Sequence, residues 1–388
     1  MQYRTDPRSG NSLSSLGFGC MRFPRSAAEC ERMITTAVEA GVNYFDTAYI
    51  YPGSEATLGR ALKKHGLRER VFIADKLPHF RCKRKGDFDG FLSKSLERLR
   101  TDYIDYYLIH NIGSVEAWRR LESLGIREWI LEKKGAKAIR RIGFSFHGKS
   151  CDFVPLLDAY GWEFCLIQYN YMNENYQAGT AGLKAIHERG LPAMIMEPLL
   201  GGKLAQGLPR KATDMFDLTA PGRSPAEWAL KWLWDKPEVT VVLSGMSTME
   251  QLVENVMVAG NSPAGCLTDE ERLLYKKVHD AIAEGYKVPC TGCDYCMPCP
   301  AGVNISGSLA AYNMSHMAGF MSALALYVNA TMGFGAARSD PGRCTGCGIC
   351  IEKCPQHIDI PARLKDARGR LEPFPIGLML KAVKRIMG

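Results

Sequence analysis

Eight of the fourteen cysteines lie in two short runs, Cys290-Thr-Gly-Cys293-Asp-Tyr-Cys296-Met-Pro-Cys299-Pro and Cys344-Thr-Gly-Cys347-Gly-Ile-Cys350-Ile-Glu-Lys-Cys354-Pro. Thiolates at this spacing let one loop wrap a metal centre, either an iron–sulfur cluster or a tetrahedral zinc ion. Two runs that each end in Cys-Pro fit clusters better than a pair of all-cysteine zinc sites. Far upstream, Asp46, Lys76 and His110 each close a short apolar run, and Tyr51 follows Asp46 by five residues. A lysine behind Val71-Phe-Ile-Ala74 is costly to desolvate without a partner. A tyrosine with a pKa of about 10 is a poor acid at neutral pH. A neighbouring ammonium lowers that pKa, a carboxylate fixes the ammonium, and an imidazole can hydrogen-bond a carbonyl oxygen. Together, these four residue types make a device for protonating a carbonyl.

Such a device needs several strand ends in one place. Short apolar runs at 16–19, 44–47, 71–76, 104–109, 142–145, 165–169, 193–196 and 239–243 read as strands. Amphipathic stretches at 28–40, 55–65, 89–99, 114–134, 151–160, 182–189, 224–234 and 248–258 read as the helices between and after them. Eight strand–helix units in roughly 240 residues predict an α/β fold, a (β/α)8 TIM barrel whose chemistry sits at the C-terminal strand ends. No Gly-x-Gly-x-x-Gly follows the first strand, which argues against a doubly wound sheet.

A chain of 388 residues accommodates a barrel and a smaller domain. The expected division is a barrel over 1–265, a connecting helix over 266–287 opened by the capping box Thr268-Asp-Glu-Glu271, and a cluster domain over 288–388. A hydrophobic content of 46% with 23% charged residues is that of an ordinary globular protein. The polar N-terminus has no signal-peptide apolar segment, and thiols that must stay reduced suit the cytoplasm. The formal charge of +8 owes much to the tail beyond Pro361, with seven Lys or Arg against Asp366 and Glu372; a solvated helix face or an acidic redox partner accounts for it. Nothing resembles a nucleic-acid-binding pattern, and nothing specifies an oligomeric state.

The cysteine runs resemble those of bacterial ferredoxins, with two [4Fe-4S] clusters and a small, mostly helical and loop domain. In that pattern the last cysteine of each run crosses to the other cluster. The resemblance implies Cys290, Cys293, Cys296 and Cys354 around cluster one, and Cys344, Cys347, Cys350 and Cys299 around cluster two. The first run departs from it by closing with two residues before Cys299, where three are usual. Between the runs, Ala301 to Ala337 contains no Asp, Glu, Lys or Arg, a length that raises the question of a membrane span. Shared ligation places both ends on one side, so the expectation is a packed helix and no span.

Asp46-Thr-Ala-x-x-Tyr51, with Gly53-Ser54-Glu55 after it, then Ala74-Asp-Lys76 and Leu108-Ile-His110, resembles the aldo/keto reductase family over roughly residues 1 to 260. The resemblance implies that Tyr51 is the general acid, Lys76 tunes it, Asp46 pairs with Lys76 and His110 orients the carbonyl. It implies that Ser145 and Gln168 hold a nicotinamide carboxamide and that Met196 lies where an aromatic usually stacks. Ser247, Gln251, Glu254 and Asn255 fall in the adenosine-binding stretch, and Gly19, Met21, Leu199 and Gly245 complete the implied cofactor set. The helix N-terminus at Ser247-Thr248 can accept a phosphate. The asparagine usual after Ser145 is Phe146, followed by His147. The basic residues that grip a 2′-phosphate align with Gly245, Met246, Ser247 and Gln251, leaving Lys203, Arg210 or Arg223 as substitutes, so NAD and NADP both stay open.

Met21, Trp118, Trp129, Tyr171 and His147 are candidates for the substrate pocket, with a core role as the alternative, and Cys20, Cys30, Cys82, Cys151, Cys165 and Cys266 read as buried or free thiols. The expected activity is NAD(P)H-dependent reduction of a small aldehyde, ketone or quinone, with the clusters relaying electrons or holding structure. One alternative feeds electrons from the clusters to a quinone, another reducible substrate or a flavin in the barrel, although no flavin motif is present. Another makes the barrel a nucleotide-binding redox sensor.

Overall fold

The structure is a computed structural model that describes residues 1–317, 319–332 and 339–380. It separates into two compact units, one of Met1–Pro198 with Glu227–Thr268 and one of Leu199–Ala226 with Asp269–Gly388. This differs from the expected division in two places. The stretch after the seventh barrel strand and the helix opened by Thr268 both group with the cysteine-bearing unit.

The first unit begins with a hairpin of β1 (Tyr3–Thr5) and β2 (Ser12–Ser14). Eight parallel strands follow: β3 (Leu16–Gly19), β4 (Tyr44–Asp46), β5 (Phe72–Leu77), β6 (Ile104–Ile112), β7 (Ile139–Phe146), β8 (Phe164–Gln168), β9 (Ala193–Met196) and β10 (Val239–Ser244). They close in chain order, with β10 pairing β3, into the (β/α)8 barrel that the alternating pattern predicts. Tyr44, Ala74, Tyr106, Leu108, Phe164, Leu166, Met194, Val241 and Leu243 form one buried cluster that also takes in Leu13 of the hairpin. The strands are mostly buried because helices cover their outer faces, which is why they read as apolar runs and not as alternating ones. The hairpin is further tied by Tyr106 Oη, which donates to Asp6 at 2.8 Å and accepts from Asn11 at 3.1 Å.

Two local corrections have plain causes. The helix expected over 114–134 is two helices, Val115–Ser123 and Ile126–Gly135, broken at Gly125 with φ +82°. Trp118 and Trp129, offered as pocket residues, are fully buried in the packing behind the strands. Trp129 lies against Phe88 and Tyr107, and Trp118 against Tyr160 and Trp162. Tyr171 is likewise buried, against Trp232.

In the second unit, the helix Arg210–Thr219 packs on the helix Asp269–Ala283, with Phe216 against Tyr275 and salt bridges from Arg223 to Glu271 at 2.5 Å and from Lys211 to Glu284 at 3.0 Å. The uncharged stretch forms two packed helices, Ile305–Met317 and Phe320–Met332, where one was expected. Gly319, just before the second of them, has φ +93°, a conformation that glycine adopts without strain. Residues 318 and 333–338 of that stretch, and 381–388 of the basic tail, lie outside the described residues. No helix among the described residues is long and apolar enough to cross a membrane. The core of this unit is Val288, Val303, Ile305, Leu309, Cys354, Ile358, Ile360 and Leu364, with Cys290, Cys296, Cys299, Cys344 and Cys350 packed against it. Asn313 links it to the first cysteine run: its side-chain oxygen accepts from the backbone N–H of Lys287 and Val288, and its amide donates to Val288 O at 2.7 Å.

Candidate active site and cysteine cradle

Strand register brings the candidate catalytic residues together. Asp46 ends β4 opposite Ala74, and Lys76 lies on β5 opposite Leu108 of β6, two residues before His110. Lys76 Nζ donates to Asp46 Oδ1 at 2.5 Å and to Thr47 O at 2.6 Å, and all but 1% of Lys76 is buried. Burial raises the Asp46 carboxyl above its ordinary range, while the Lys76 ammonium pulls it back down. The Lys76 ammonium stands 5.0 Å from the centre of the half-buried Tyr51 ring. The ring of Tyr51 meets that of His110 edge-on at 5.9 Å. Burial, reinforced by the Lys76 charge, holds His110 far below the usual histidine range, so its imidazole is neutral at pH 7.

The loop carrying Tyr51 is fixed at both ends. Thr47 Oγ1 and Ser54 Oγ are 2.7 Å apart, and Ser54 Oγ donates to Cys20 O at 2.8 Å. Glu55, buried at the start of the helix Ser54–Lys64, accepts from Ser95 at 2.6 Å and from Arg98 at 2.7 Å. Sequence reading missed Ser95, Arg98 and the Thr47 carbonyl, because each acts across a separation of up to 43 residues that no local pattern records. It also missed Phe80, 49% exposed with its ring 6.4 Å from His110. His79, which burial pushes down to about 4, accompanies it.

The residues expected to hold a dinucleotide fall at two places on the same unit. Ser145 is the penultimate residue of β7, and Gln168 and Met196 end β8 and β9 opposite each other. Ser145 Oγ accepts from Asn111 N at 2.7 Å, and Gln168 Nε2 donates to Asn173 at 3.0 Å. Around the end of β10, a Cβ on Gly19 would meet Ser244 O at 3.3 Å, a tight contact that marks the close approach of β3 and β10. Asn255 donates to Ser244 Oγ at 2.9 Å, and Gln251 Oε1 accepts from Ser247 N at 2.8 Å. Gly245 is exposed, Glu254 is half-buried and Met21 is 37% exposed. His147, a pocket candidate, is buried at the end of β7. Leu199, however, belongs to the second unit. So do the proposed phosphate partners: Lys203 bonds Cys290 O and Arg223 bonds Glu271, while Arg210 stands exposed 3.7 Å from Asp214. Gly201 at φ +70° and Gly202 at φ +93° form the turn before Lys203.

In the second unit, Cys290, Cys293, Cys296 and Cys354 line one hollow, walled by Ile305, Leu309, Ile358 and Ile360. Burial pushes the Cys296 thiol up to about 12, with Cys290, Cys293 and Cys354 adding to the push. Cys350 is raised in the same way by burial and by Cys344, Cys347 and Cys299. Among the described residues, no three His, Cys, Asp or Glu side chains converge as a single-ion site. Cys290, Cys293, Cys296 and Cys354 face a hollow instead, and that donor set and its apolar walls fit an iron–sulfur cluster.

A closed parallel barrel with a buried Asp–Lys pair, a tyrosine and a neutral histidine at adjacent strand ends defines a TIM-barrel oxidoreductase. The sequence profile of the aldo/keto reductase family matches residues 15–263, and that of the 4Fe-4S dicluster domain matches residues 289–358. An aldo-keto reductase of Mycolicibacterium vanbaalenii is 32% identical over 259 residues, which cover 64% of this chain and 83% of that protein. The holo form of the aldo-keto reductase AKR11C1 from Bacillus halodurans superposes with a TM-score of 0.59 at 26% identity, covering 72% of this chain and 96% of its own. An aldo-keto reductase from Klebsiella pneumoniae in complex with NADPH has the same fold, with a TM-score of 0.59 at 23% identity over 72% of this chain and 96% of its own. The chain belongs to the aldo/keto reductase family and carries a 4Fe-4S dicluster domain after its barrel.

Proposed function

We propose that the barrel reduces a small-molecule carbonyl, whether aldehyde, ketone or quinone, and that the eight run cysteines hold two [4Fe-4S] clusters as Cys290, Cys293, Cys296, Cys354 and Cys344, Cys347, Cys350, Cys299. The observation that carries the reading is the buried Asp46–Lys76 pair beneath Tyr51, with Lys76 5.0 Å from the Tyr51 ring and His110 at 5.9 Å. A reduced nicotinamide dinucleotide, when bound, supplies the hydride, and Ser145, Gln168 and Met196 are the residues that would hold its nicotinamide end.

The chain's own residues do the rest. His110, neutral in its buried site, donates a hydrogen bond to the carbonyl oxygen and sets its direction. Tyr51 gives its phenolic proton to that oxygen as the carbon of an aldehyde or ketone gains hydride, so C=O becomes CH–OH and a phenolate remains. The Lys76 ammonium stabilises that phenolate, and Asp46 and the Thr47 carbonyl hold Lys76 in place. Water then returns the proton to Tyr51. The clusters would supply one-electron chemistry, which a two-electron hydride step does not itself require.

Tyr51→Phe removes the proton and keeps the ring. Anaerobic oxidation of NADPH or NADH by a small aldehyde should fall roughly 10²–10⁴-fold. Turnover equal to wild type sinks the assignment. Cluster absorbance followed in the same assay shows whether the two units exchange electrons: bleaching at the turnover rate joins them, and silence separates them.

A further inference from the structure

The stretch after β9 behaves as part of the cysteine-bearing unit, although the chain enters it from one barrel element and leaves it for another. Its first turn grips the opening of the first cysteine run. Gly201 lies so close to Thr291 that a Cβ would meet Thr291 O at 2.0 Å, and φ +70° is a conformation that glycine adopts without strain. Two residues on, Lys203 Nζ donates to the carbonyl oxygen of Cys290. Tyr286 Oη donates to the same oxygen at 3.0 Å, and Lys203 Nζ also reaches Tyr286 Oη at 3.4 Å and stands 5.3 Å from the ring centre. One backbone carbonyl thus takes two donors, one of them a cation. The residue that owns it is the first of the four cysteines lining the hollow.

Nothing in the active-site chemistry uses this lysine. Its charge is held half-buried on a peptide whose own Cα and Cβ are all that separate the carbonyl from the thiol. Cluster potentials respond to nearby net charge, to hydrogen bonding and to burial. A fixed ammonium favours the more negative, reduced state of a neighbouring cluster.

We propose that Lys203 is a positioning residue for the cluster held by Cys290, fixing the Cys290–Thr291 peptide and raising that cluster's reduction potential. The proposal rests on the reading of Cys290 as a cluster ligand. It adds that a segment between two barrel elements, outside both cysteine runs, sets the redox property of one cluster and leaves the other alone.

The test is an EPR-monitored redox titration of the full-length, anaerobically purified protein, with iron and acid-labile sulfide measured on each sample. Lys203→Met should shift one midpoint to more negative potential and leave the second in place. The expected size is about tenfold in the oxidised-to-reduced ratio at fixed potential, or ~59 mV for one electron. Lys203→Arg, which keeps the charge and a donor, should stay close to wild type. Tyr286→Phe, which removes only the neutral donor, should move the same midpoint by less. If Lys203→Met instead loses the iron of one cluster while Lys203→Arg keeps it, the positioning role is supported directly. Unchanged midpoints at full iron content overturn the proposal, as do equal shifts in the Met and Arg variants. Wild-type protein that binds no iron overturns the ligand assignment, and the proposal with it, so iron content judges that assignment and the potentials judge Lys203.

Discussion

The barrel site and the cysteine cradle solve opposite electrostatic problems. In the barrel, each buried charge near the chemistry has a counter-charge supplied by the chain: Lys76 has Asp46, and Glu55 has Arg98. In the cradle, thiols crowd one another, and burial together with mutual repulsion drives Cys296 and Cys350 upward. A bound cluster would hold such thiols as thiolates instead. The difference teaches that the barrel balances its buried charges with its own side chains, whereas the cradle gathers thiols within the stretch that matches the 4Fe-4S dicluster domain, so the stability of the second unit is expected to depend on iron.

Removing iron is the widest test of that contrast. Anaerobic chelation should abolish the cooperative unfolding of the second unit and leave a barrel transition in place, giving a calorimetric trace with one transition where the holoprotein has two. Loss of both transitions together would show that the barrel is not self-sufficient.

Within the barrel, Arg98→Met strands a nearly fully buried Glu55. Breaking such a pair costs roughly 3–5 kcal/mol, and the lower end applies because about a third of the Arg98 side chain meets water. Urea denaturation should show the loss, and kcat should fall with it, since Glu55 opens the helix that follows Tyr51. Full stability in this variant would mean that the pair does not hold the loop.

A third expectation concerns pH. Burial, and then the Glu55 charge, push the Asp75 carboxyl up to about 8 from its ordinary 3.8. A carboxyl raised on folding contributes stability that is complete below its unfolded pKa and is lost as pH rises through the folded value. Barrel stability should therefore decline between about pH 4 and pH 8, by on the order of a few kcal/mol. Asp75→Asn should flatten that decline, and a slope that survives the substitution assigns it elsewhere. The smallest effect is expected from Gly53→Ala. Gly53 has φ +71° with open space around it, so backbone strain of ~1–2 kcal/mol is the whole cost.

Much of the barrel was legible because its signals are local. Strands buried on both faces read as apolar runs, and polar residues closing those runs fall at the face where strands end. The split at Gly125 escaped because a single glycine within a helical pattern is compatible with continuation. The break before Phe320 escaped for the same reason, in a stretch whose uniform apolarity shows no periodic face to mark where one helix stops. The helix Arg210–Thr219 went unread because its sequence is polar and its partners, Tyr275 and Glu284, lie more than fifty residues away.

The sequence by itself determined the chemistry available: an Asp, a Tyr, a Lys and a His on consecutive strand–loop units, and eight cysteines in two spaced runs. Residue type and spacing suffice for that, because strand alternation and loop length are local properties of the chain. Tertiary structure alone decided the long-range pairings. It placed Arg98 on Glu55 and Lys203 on the Cys290 carbonyl. Each joins residues far apart in sequence, and their closure entropy is offset only when the whole unit folds.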